Sequence, residues 1–285
     1  MTKIIFHLPY DHIISVENLL AAWRELIRGK RHKHDVQEFE LHLMDNLLSL
    51  HRDLQNKTYH HSGYQFFRIH DPKLRDINRA SVRDRLRLVH HAVHHSFYWF
   101  YHQVFIADSF SCRLGKGTHK AINRFRALAY KVSRNHTRTG WILKCDIRKF
   151  FASIDQTILL SILRERITDQ DTLWLLEQVI GSFYSTRQGV GFPLGNLTSQ
   201  LLVNVYMNEF DQFVKHKLKQ RYYIRYADDF VIMHHNRNIL AEVLPQVCGF
   251  LEKELKLNLH PDKIFLQTAT SGVDFLGWVH FSNHR

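Results

Sequence analysis

Residues 222–233 contain two apolar, β-prone runs joined through Tyr226, Ala227, Asp228 and Asp229. This pattern predicts a β-hairpin whose turn carries adjacent carboxylates. Like charges a few ångströms apart raise one another's pKa, so a pair that stays ionised at neutral pH needs a divalent metal or a basic partner. A solvated Asp-Asp turn is the alternative. Because the flanking strands are too apolar for a surface hairpin, we expect the carboxylates to line a cleft over a buried sheet.

A third carboxylate follows another apolar strand pattern. Residues 141–147 end in Asp146 and Ile147, and a basic and aromatic segment comes next at 148–151. Carboxylates from two strands can hold two Mg²⁺ ions about 4 Å apart for phosphoryl transfer. Asp155 is a weaker candidate, because it is well placed to cap a helix that begins at Gln156. The sequence therefore predicts a metal site at Asp146, Asp228 and Asp229.

Several sequence blocks, in a fixed order, resemble the palm motifs of reverse transcriptases. Asp146 with residues 150–151 resembles the first motif, residues 195–200 the second and 226–229 the third. Residues 255–263 resemble the fourth block, and 273–278 resemble the primer-grip hairpin. The resemblance implies an α+β right-hand polymerase fold with fingers and palm. It also implies an RNA-directed DNA polymerase that adds deoxynucleotides to a primer 3′-hydroxyl, with Mg²⁺ as cofactor and Mn²⁺ as a substitute.

The same resemblance implies a division of the chain into parts. Residues 1–60 would form an N-terminal helical extension, and 61–140 the fingers. The palm would occupy 141–285, with an inserted helical fingers segment at about 156–190 and a C-terminal primer-grip hairpin. Reverse transcriptases carry a helical thumb after the primer grip, but only 280–285 follow here, too few for a stable helix. We therefore expect the thumb to be missing, through truncation or because a partner completes the channel.

Substrate contacts are implied residue by residue. Arg75, together with Lys73, would neutralise the incoming triphosphate, since a guanidinium offers bidentate donors to phosphate oxygens. Their alternative reading is a solvated basic turn. Phe151 falls at the steric gate, where a bulky ring excludes a ribose 2′-hydroxyl, although the residues alone suggest only a core side chain. The same substrate set includes Tyr226 and, from the second palm block, Leu194, Gly195 and Gln200. Residues 83–85 fall where the family orders its fingers sheet.

Two further roles come from the resemblance. Lys263 would donate a proton to the departing pyrophosphate, a general-acid role for a lysine near the leaving oxygen. Its alternative is an exposed loop lysine. Ile147 joins Asp146, Asp228 and Asp229 in the implied metal-binding set.

The second palm block narrows the subfamily. Many reverse transcriptases have a polar Gln before the glycine and a Pro after the serine, whereas this chain has Leu194 before Gly195 and Gln200 after Ser199. That pattern is similar to diversity-generating retroelement enzymes, in which the apolar residue accompanies misincorporation opposite adenine. Retron-like, group II intron-like and defence-associated reverse transcriptases are the alternatives. A catalytically silent RNA-binding scaffold is the alternative from another class.

The charge balance fits a protein that holds a polyanion. Lys and Arg number 39 against 27 Asp and Glu, which gives +12 and a pI near 9.7. Basic structural proteins share this balance. The predicted partners are template RNA, an RNA/DNA primer-template and deoxynucleotide triphosphates. The family resemblance adds a small, basic, multimeric helical accessory protein. Residues 29–34 form a basic turn between predicted helices at 16–27 and 36–54, and are a candidate contact for RNA phosphates.

Three well-separated cysteines without metal-ligand spacing indicate a reducing compartment. Without a stretch of about 18 apolar residues or a leader pattern, we expect a cytoplasmic protein that does not contact membranes. Histidines 90, 91, 94 and 95 include i,i+4 pairs that resemble zinc ligands. No Glu or Cys stands at a supporting position, so a packed or nucleic-acid-facing helix is the favoured interpretation.

Overall fold

The computed structural model describes residues 4–71, 73–81 and 85–281, apart from the side chains at 71 and 73. Two compact units make up the chain. Unit 1 contains 1–104 and 154–202, and unit 2 contains 105–153 and 203–285. Residues 105–140 therefore group with unit 2, and 156–190 group with unit 1.

The helices and strands alternate in blocks along the chain. The helices are α1 (Tyr10–Ile14), α2 (Val16–Leu26), α3 (His34–Leu41), α4 (Leu43–Gln55), α5 (Leu86–Val104), α6 (Thr118–Val132), α7 (Phe150–Ser153), α8 (Gln156–Arg164), α9 (Gln170–Gly181), α10 (Leu197–Gln212) and α11 (Arg237–Leu255). The strands are β1 (Tyr64–Asp71), β2 (Lys73–Ala80), β3 (Trp141–Asp146), β4 (Tyr222–Tyr226), β5 (Asp229–His234), β6 (Phe265–Thr268), β7 (Val273–Phe275) and β8 (Trp278–His280).

Apolar residues at helical spacing form the helical part of unit 1. In α2 the buried positions include Leu19, Trp23 and Leu26, and the Ser15 side chain caps the helix by accepting from the Asn18 amide at 3.2 Å. The helix predicted at 16–27 is thus confirmed, and it packs on α5.

The single helix predicted at 36–54 is wrong, because the chain breaks between α3 and α4. His42 lies outside helical geometry at φ −122° and ψ 35°. The Asn46 side chain donates to the Phe39 carbonyl at 3.2 Å, where a continuous helix would use the Leu43 amide. A side-chain amide that replaces a main-chain donor reduces the free-energy cost of such a break. The spacing of apolar residues contains no sign of this bond, so it could not predict the break.

Two strands of unit 1 form a separate antiparallel hairpin. Strands β1 and β2 are paired along their whole length, from Tyr64 opposite Ala80 to Asp71 opposite Lys73. Ile77 is buried near the base, whereas Phe66 and Leu74 are more than half exposed. The hairpin therefore projects an apolar and basic surface beyond the base that anchors it.

Unit 2 is built on a four-stranded antiparallel sheet in the order β4-β5-β3-β6. The hairpin predicted at 222–233 is confirmed as β4 and β5. Helix α6 packs on one face, where Phe125 and Leu128 join Ile142 and Val231 in the core. The predicted α+β class is therefore confirmed as a mixture of helices and antiparallel sheet.

The β7–β8 hairpin follows the sheet of unit 2. Its two-residue turn holds Leu276 at φ +55° and Gly277 at φ +79°, as a turn with two left-handed residues requires. Within the described ranges, no helix combines the length and the apolar character needed to cross a bilayer.

Candidate active site

Strand pairing in unit 2 brings the predicted carboxylates together. In the β3–β5 register, Asp146 lies opposite Asp229. Asp228 occupies the two-residue turn between β4 and β5, after Ala227. Ala227 has φ +55°, a left-handed conformation that is unfavourable for a residue with a Cβ. The turn is therefore held in a strained shape at the point where the carboxylates lie.

Asp229 has a strongly raised pKa. Burial is the largest cause that raises its pKa to about 7, and the neighbouring Asp146 and Asp228 raise it further, against the opposing effect of Lys144. Its Oδ1 atom is buried without a hydrogen-bond partner. A buried carboxylate oxygen with no donor is costly, which marks this atom as the place where a cation would be stabilising.

Two lysines lie beside these carboxylates. Lys263 Nζ donates to Asp146 Oδ1 at 2.9 Å, so the predicted general acid is within reach of the acid cluster. Lys144 Nζ lies 3.8 Å from Asp229 Oδ2 and was not predicted. It precedes Asp146 by two positions on β3, and strand alternation places it on the same face, which is a signal the sequence did contain.

A divalent metal fits the chemistry of this cluster. Across the described ranges, no group of three or more His, Cys, Asp or Glu side chains is arranged to hold an ion. The positive charges next to these carboxylates are the ammonium groups of Lys263, beside Asp146, and of Lys144, beside Asp229. The donors are hard oxygen atoms of the kind that Mg²⁺ prefers, and the orphaned Asp229 Oδ1 supplies a ready ligand.

The residue that holds the carboxylate turn is Arg225, which sequence reasoning missed. Its side chain is fully buried and uses every N–H donor. Two of them form a bidentate pair with Asp211, at 2.8 and 2.7 Å. Others go to Asn204 at 3.2 Å and to Ser109 at 3.2 Å. The remaining one donates to the Ala227 carbonyl at 3.0 Å, which ties the strained turn to the core.

Three other predicted site residues also lie in unit 2. Phe151 is half-buried at the start of α7, with its ring 5.5 Å from that of Phe150 in an edge arrangement. The Tyr226 hydroxyl pairs with that of Thr118 at 3.1 Å. Ile147 is buried, and its N–H donates to the Asp228 carbonyl at 3.2 Å, so only its own carbonyl oxygen could act as a ligand.

The remaining predicted substrate residues lie in unit 1. The carbonyl of Leu194 accepts from the Asn78 amide of β2 at 2.9 Å. Gly195 has φ +111°, and a Cβ there would come within 2.7 Å of the Ile77 side chain. Arg75 is exposed on β2 and shares the Ile77 face of the hairpin by alternation. The segment before α10 is thus anchored to β2 near this face.

Gln200 lies in the first turn of α10 and is half-buried. Its N–H donates to the Asn196 carbonyl at 3.3 Å, and the Asn196 side chain in turn bonds Ala80 and Asn78. Strand β2 begins at Lys73, but the Lys73 side chain lies outside the description, as do residues 83 and 84.

The histidines of α5 form part of a buried polar network. His90 Nε2 lies 3.0 Å from His61 Nε2, and His90 Nδ1 bonds the Thr198 hydroxyl. Since His61 Nδ1 faces the Ser62 carbonyl at 2.8 Å, it must carry the proton, so His90 donates to His61 and accepts from Thr198. Burial lowers the pKa of both rings. The network is therefore satisfied in its neutral form.

Comparison with known proteins identifies a family whose sequence model covers most of this chain. The family model for reverse transcriptase (RNA-dependent DNA polymerase) matches residues 63–280. Protein YkfC of Escherichia coli strain K12 is 28% identical in an alignment of 244 residues, which covers 72% of this chain and 62% of YkfC. The group II intron-encoded protein LtrA of Lactococcus lactis subsp. cremoris is 21% identical over 273 residues, with 72% of this chain and 44% of LtrA covered.

A solved structure shares the fold. Apo telomerase from Candida tropicalis, truncated from the C-terminal domain, aligns with a TM-score of 0.57 at 10% identity, over 76% of this chain and 53% of the telomerase. The chain spans less than two thirds of each of these three proteins. With three quarters of its residues matched by one family model and its carboxylates paired across β3 and β5, the chain belongs to the reverse transcriptase family.

Proposed function

We propose that this chain catalyses RNA-templated addition of deoxynucleotides to a primer 3′-hydroxyl. The observation that carries the proposal is the pairing of Asp146 with Asp229 beside the turn at Asp228, with one carboxylate oxygen of Asp229 buried and unbonded. A structural role would not favour three acids at one sheet end, because their mutual repulsion opposes folding. Membership of the family supports the same chemistry.

The metal-binding residues in this proposal are Asp146, Asp228, Asp229 and the carbonyl of Ile147. Two Mg²⁺ ions, or Mn²⁺ in their place, would activate the attacking hydroxyl and stabilise the leaving oxygens. Lys263 would release its contact with Asp146 and donate a proton to pyrophosphate.

Substrate roles follow the sequence resemblance. Arg75 and Lys73 would neutralise the triphosphate. Phe151 would select against ribonucleotides, and Tyr226 and Gln200 would contact the substrate. Arg75 is exposed on β2, opposite Ile69 of β1. Among the described residues no carboxylate is bonded to its guanidinium, which supports the proposed role of Arg75 in binding the triphosphate.

The test is primer extension on an RNA template with Mg²⁺, comparing wild type with Asp228→Asn. We expect extension to fall at least about 100-fold, because an electrostatic contact to the reacting groups is lost. The matched control is Asp262→Asn, which removes an exposed carboxylate from the same unit. Extension by Asp228→Asn at the wild-type rate, from a wild type that is active, would exclude the proposed carboxylate cluster.

At the level of subfamily, we propose the error-prone enzyme of a diversity-generating retroelement. The support is the apolar Leu194 before Gly195 and the Gln200 in place of proline. Leu194 is half-buried, and its carbonyl accepts from the Asn78 amide, so its main chain is anchored to β2. Template RNA, deoxynucleotides and a small basic accessory protein are the proposed partners, and a cytoplasmic location belongs to the same proposal.

A group II intron-like role is the second candidate, favoured by the similarity to LtrA. Sequencing of cDNA made from a defined template separates the two. The retroelement proposal requires errors concentrated opposite template adenine, and it requires Leu194→Gln to reduce them, because an amide adds polar contacts that a leucine lacks. A uniformly low error rate at all four bases would favour the intron-like role.

A further inference from the structure

Unit 2 contains a cavity of about 350 Å³ whose lining includes none of the three carboxylates. Helix α6 contributes Asn123, Arg126 and Tyr130, the loop after it contributes His136, and the end of β8 contributes His280 and Phe281. Trp141 marks this end of the sheet, since it pairs with Thr268 on β6, next to the cavity residue Ala269. Trp141 precedes Asp146 by five positions, so about 17 Å of strand separates the two ends.

The walls of the cavity are aromatic and fixed in place. The His280 ring lies 4.7 Å from that of buried Phe125. The Phe281 ring packs on Gly272, where a Cβ would come within 2.7 Å of it. Tyr130 is 47% exposed, and its ring meets His136 at 5.5 Å in an edge arrangement. Flat side chains thus border an open space, with the amide of Asn123 and the guanidinium of Arg126 as polar groups.

The rim of the cavity is basic and includes an unusual loop. Arg134, Asn135 and His136 are consecutive residues in the left-handed region, at φ +47°, +59° and +64°. Such a run is rare for residues with side chains. Bonds from Asn135 N–H to the Tyr130 carbonyl at 3.0 Å and from Arg138 Nε to the Val132 carbonyl at 2.8 Å hold it. Strain that the surroundings enforce is typical of functional loops.

The neighbouring loop after β5 extends this basic surface. Arg134 and Arg138 both lie close enough to His235 to lower its pKa, after the effects of burial and of His234. Arg237 lies over the Trp141 ring at 5.7 Å. The segments 126–141, 234–241 and 268–272 contain no Asp or Glu. The charged side chains of these three segments are therefore all basic.

We propose that this cavity and its basic rim bind a single-stranded segment of RNA, one base of which enters the cavity. Ring walls with a few polar groups suit base stacking and edge recognition, and the guanidinium groups suit phosphates. The volume lies at the small end of ligand sites, so it admits one nucleotide and excludes a duplex. An acidic protein would complement the basic rim, but its carboxylates would not fill the space between the aromatic rings. The site anchors RNA away from the carboxylates and does not depend on catalysis.

Photocrosslinking tests where the RNA lies. The probe is a 4-thiouridine single-stranded RNA of about 10 nucleotides, irradiated with the full chain, digested and mapped by mass spectrometry. We expect adducts in the peptides that contain Tyr130 or Phe281. Tyr130→Ala should lose the Tyr130 adduct while Tyr130→Phe keeps crosslinking in this region. Adducts confined to other parts of the chain would overturn the proposal.

Binding measurements test the rim with charge-matched variants. The rim variant combines Arg126→Gln, in helix α6, with Arg134→Asn, at a residue of left-handed conformation. It removes two exposed positive charges. The control, Lys253→Gln with Lys219→Asn, does the same elsewhere in unit 2, since Lys219 has φ +52°. We expect the rim pair to weaken binding of the single strand about 10-fold more than the control pair.

Two competitors and one activity control complete the test. An RNA duplex and poly-glutamate should displace the probe less well than unlabelled single strand, and equal displacement would reduce the site to a general anion surface and overturn the proposal. Both double variants should extend a short primer-template at the wild-type rate. Loss of extension by the rim pair alone would place these residues in the catalytic groove and also overturn it.

Discussion

Replacing Asp211 by Asn should destabilise the protein severely, because it leaves the Arg225 guanidinium buried without a counterion. Both side chains are fully buried, and two charge-assisted bonds join them. Removal of one partner from such a pair costs about 3–5 kcal/mol. At about 2–4 °C per kcal/mol, the midpoint of thermal unfolding should fall by about 6–20 °C. Calorimetry measures this midpoint directly, and a second variant, Glu252→Gln on the exposed face of α11, serves as the surface control.

Arg225→Lys separates stability from turn positioning. A lysine keeps the positive charge near Asp211, but its single ammonium cannot also reach the Ala227 carbonyl with the fork geometry of a guanidinium. We expect a smaller shift of the unfolding midpoint than for Asp211→Asn, together with about a 10- to 100-fold loss of primer extension, because the carboxylate turn is no longer fixed. An Asp211→Asn midpoint within about 2 °C of wild type would refute the calculation of the buried pair. Full activity in Arg225→Lys would refute the positioning role.

Two other predictions concern acid stability and sugar choice. Burial holds the pKa of His90 well below 6.5 and lowers that of His91 to about 3, so the unfolded chain takes up protons first as the pH falls. Their stabilisation is complete above about pH 6.5 and should decrease as the pH falls to 5, by about 2 kcal/mol for His91 and by a further amount for His90. Urea unfolding at both pH values measures this loss, and equal midpoints would contradict it. Phe151→Ala should narrow discrimination between deoxynucleotides and ribonucleotides in side-by-side extension, and an unchanged ratio would show that its ring only packs against Phe150.

The paired carboxylates could be predicted because they depend on local pattern alone. Short apolar, β-prone runs indicated β3 and β5, and the turn between two such runs indicated where Asp228 would stand. The N-cap role of Asp155 was equally local, and its side chain does accept from the amides of Thr157 and Ile158. Interactions between residues close in sequence leave a signature that one chain can show.

Arg225 could not be predicted, because its environment depends on residues far along the chain. A single arginine in a strand is normally a solvated side chain, and nothing near it reveals that Asp211, Asn204 and Ser109 converge on it. The break at His42 has a similar origin, since the side chain of Asn46, four residues further on, supplies the compensating bond. The cavity between α6 and β8 required tertiary packing of elements more than 100 positions apart.

Unit 2 places a buried guanidinium and a half-buried carboxyl group on one hairpin, and their bonding differs. Arg225 on β4 has a partner for every donor, so its burial fixes the turn. Asp229, at the start of β5, keeps an oxygen with no partner, and its pKa is raised to about 7. A fully bonded charge gains nothing from a ligand, whereas an unbonded carboxylate oxygen gains a great deal from a cation. The hairpin thus combines a rigid, saturated support with an unsaturated acid, which is the arrangement that a pre-positioned metal ligand requires.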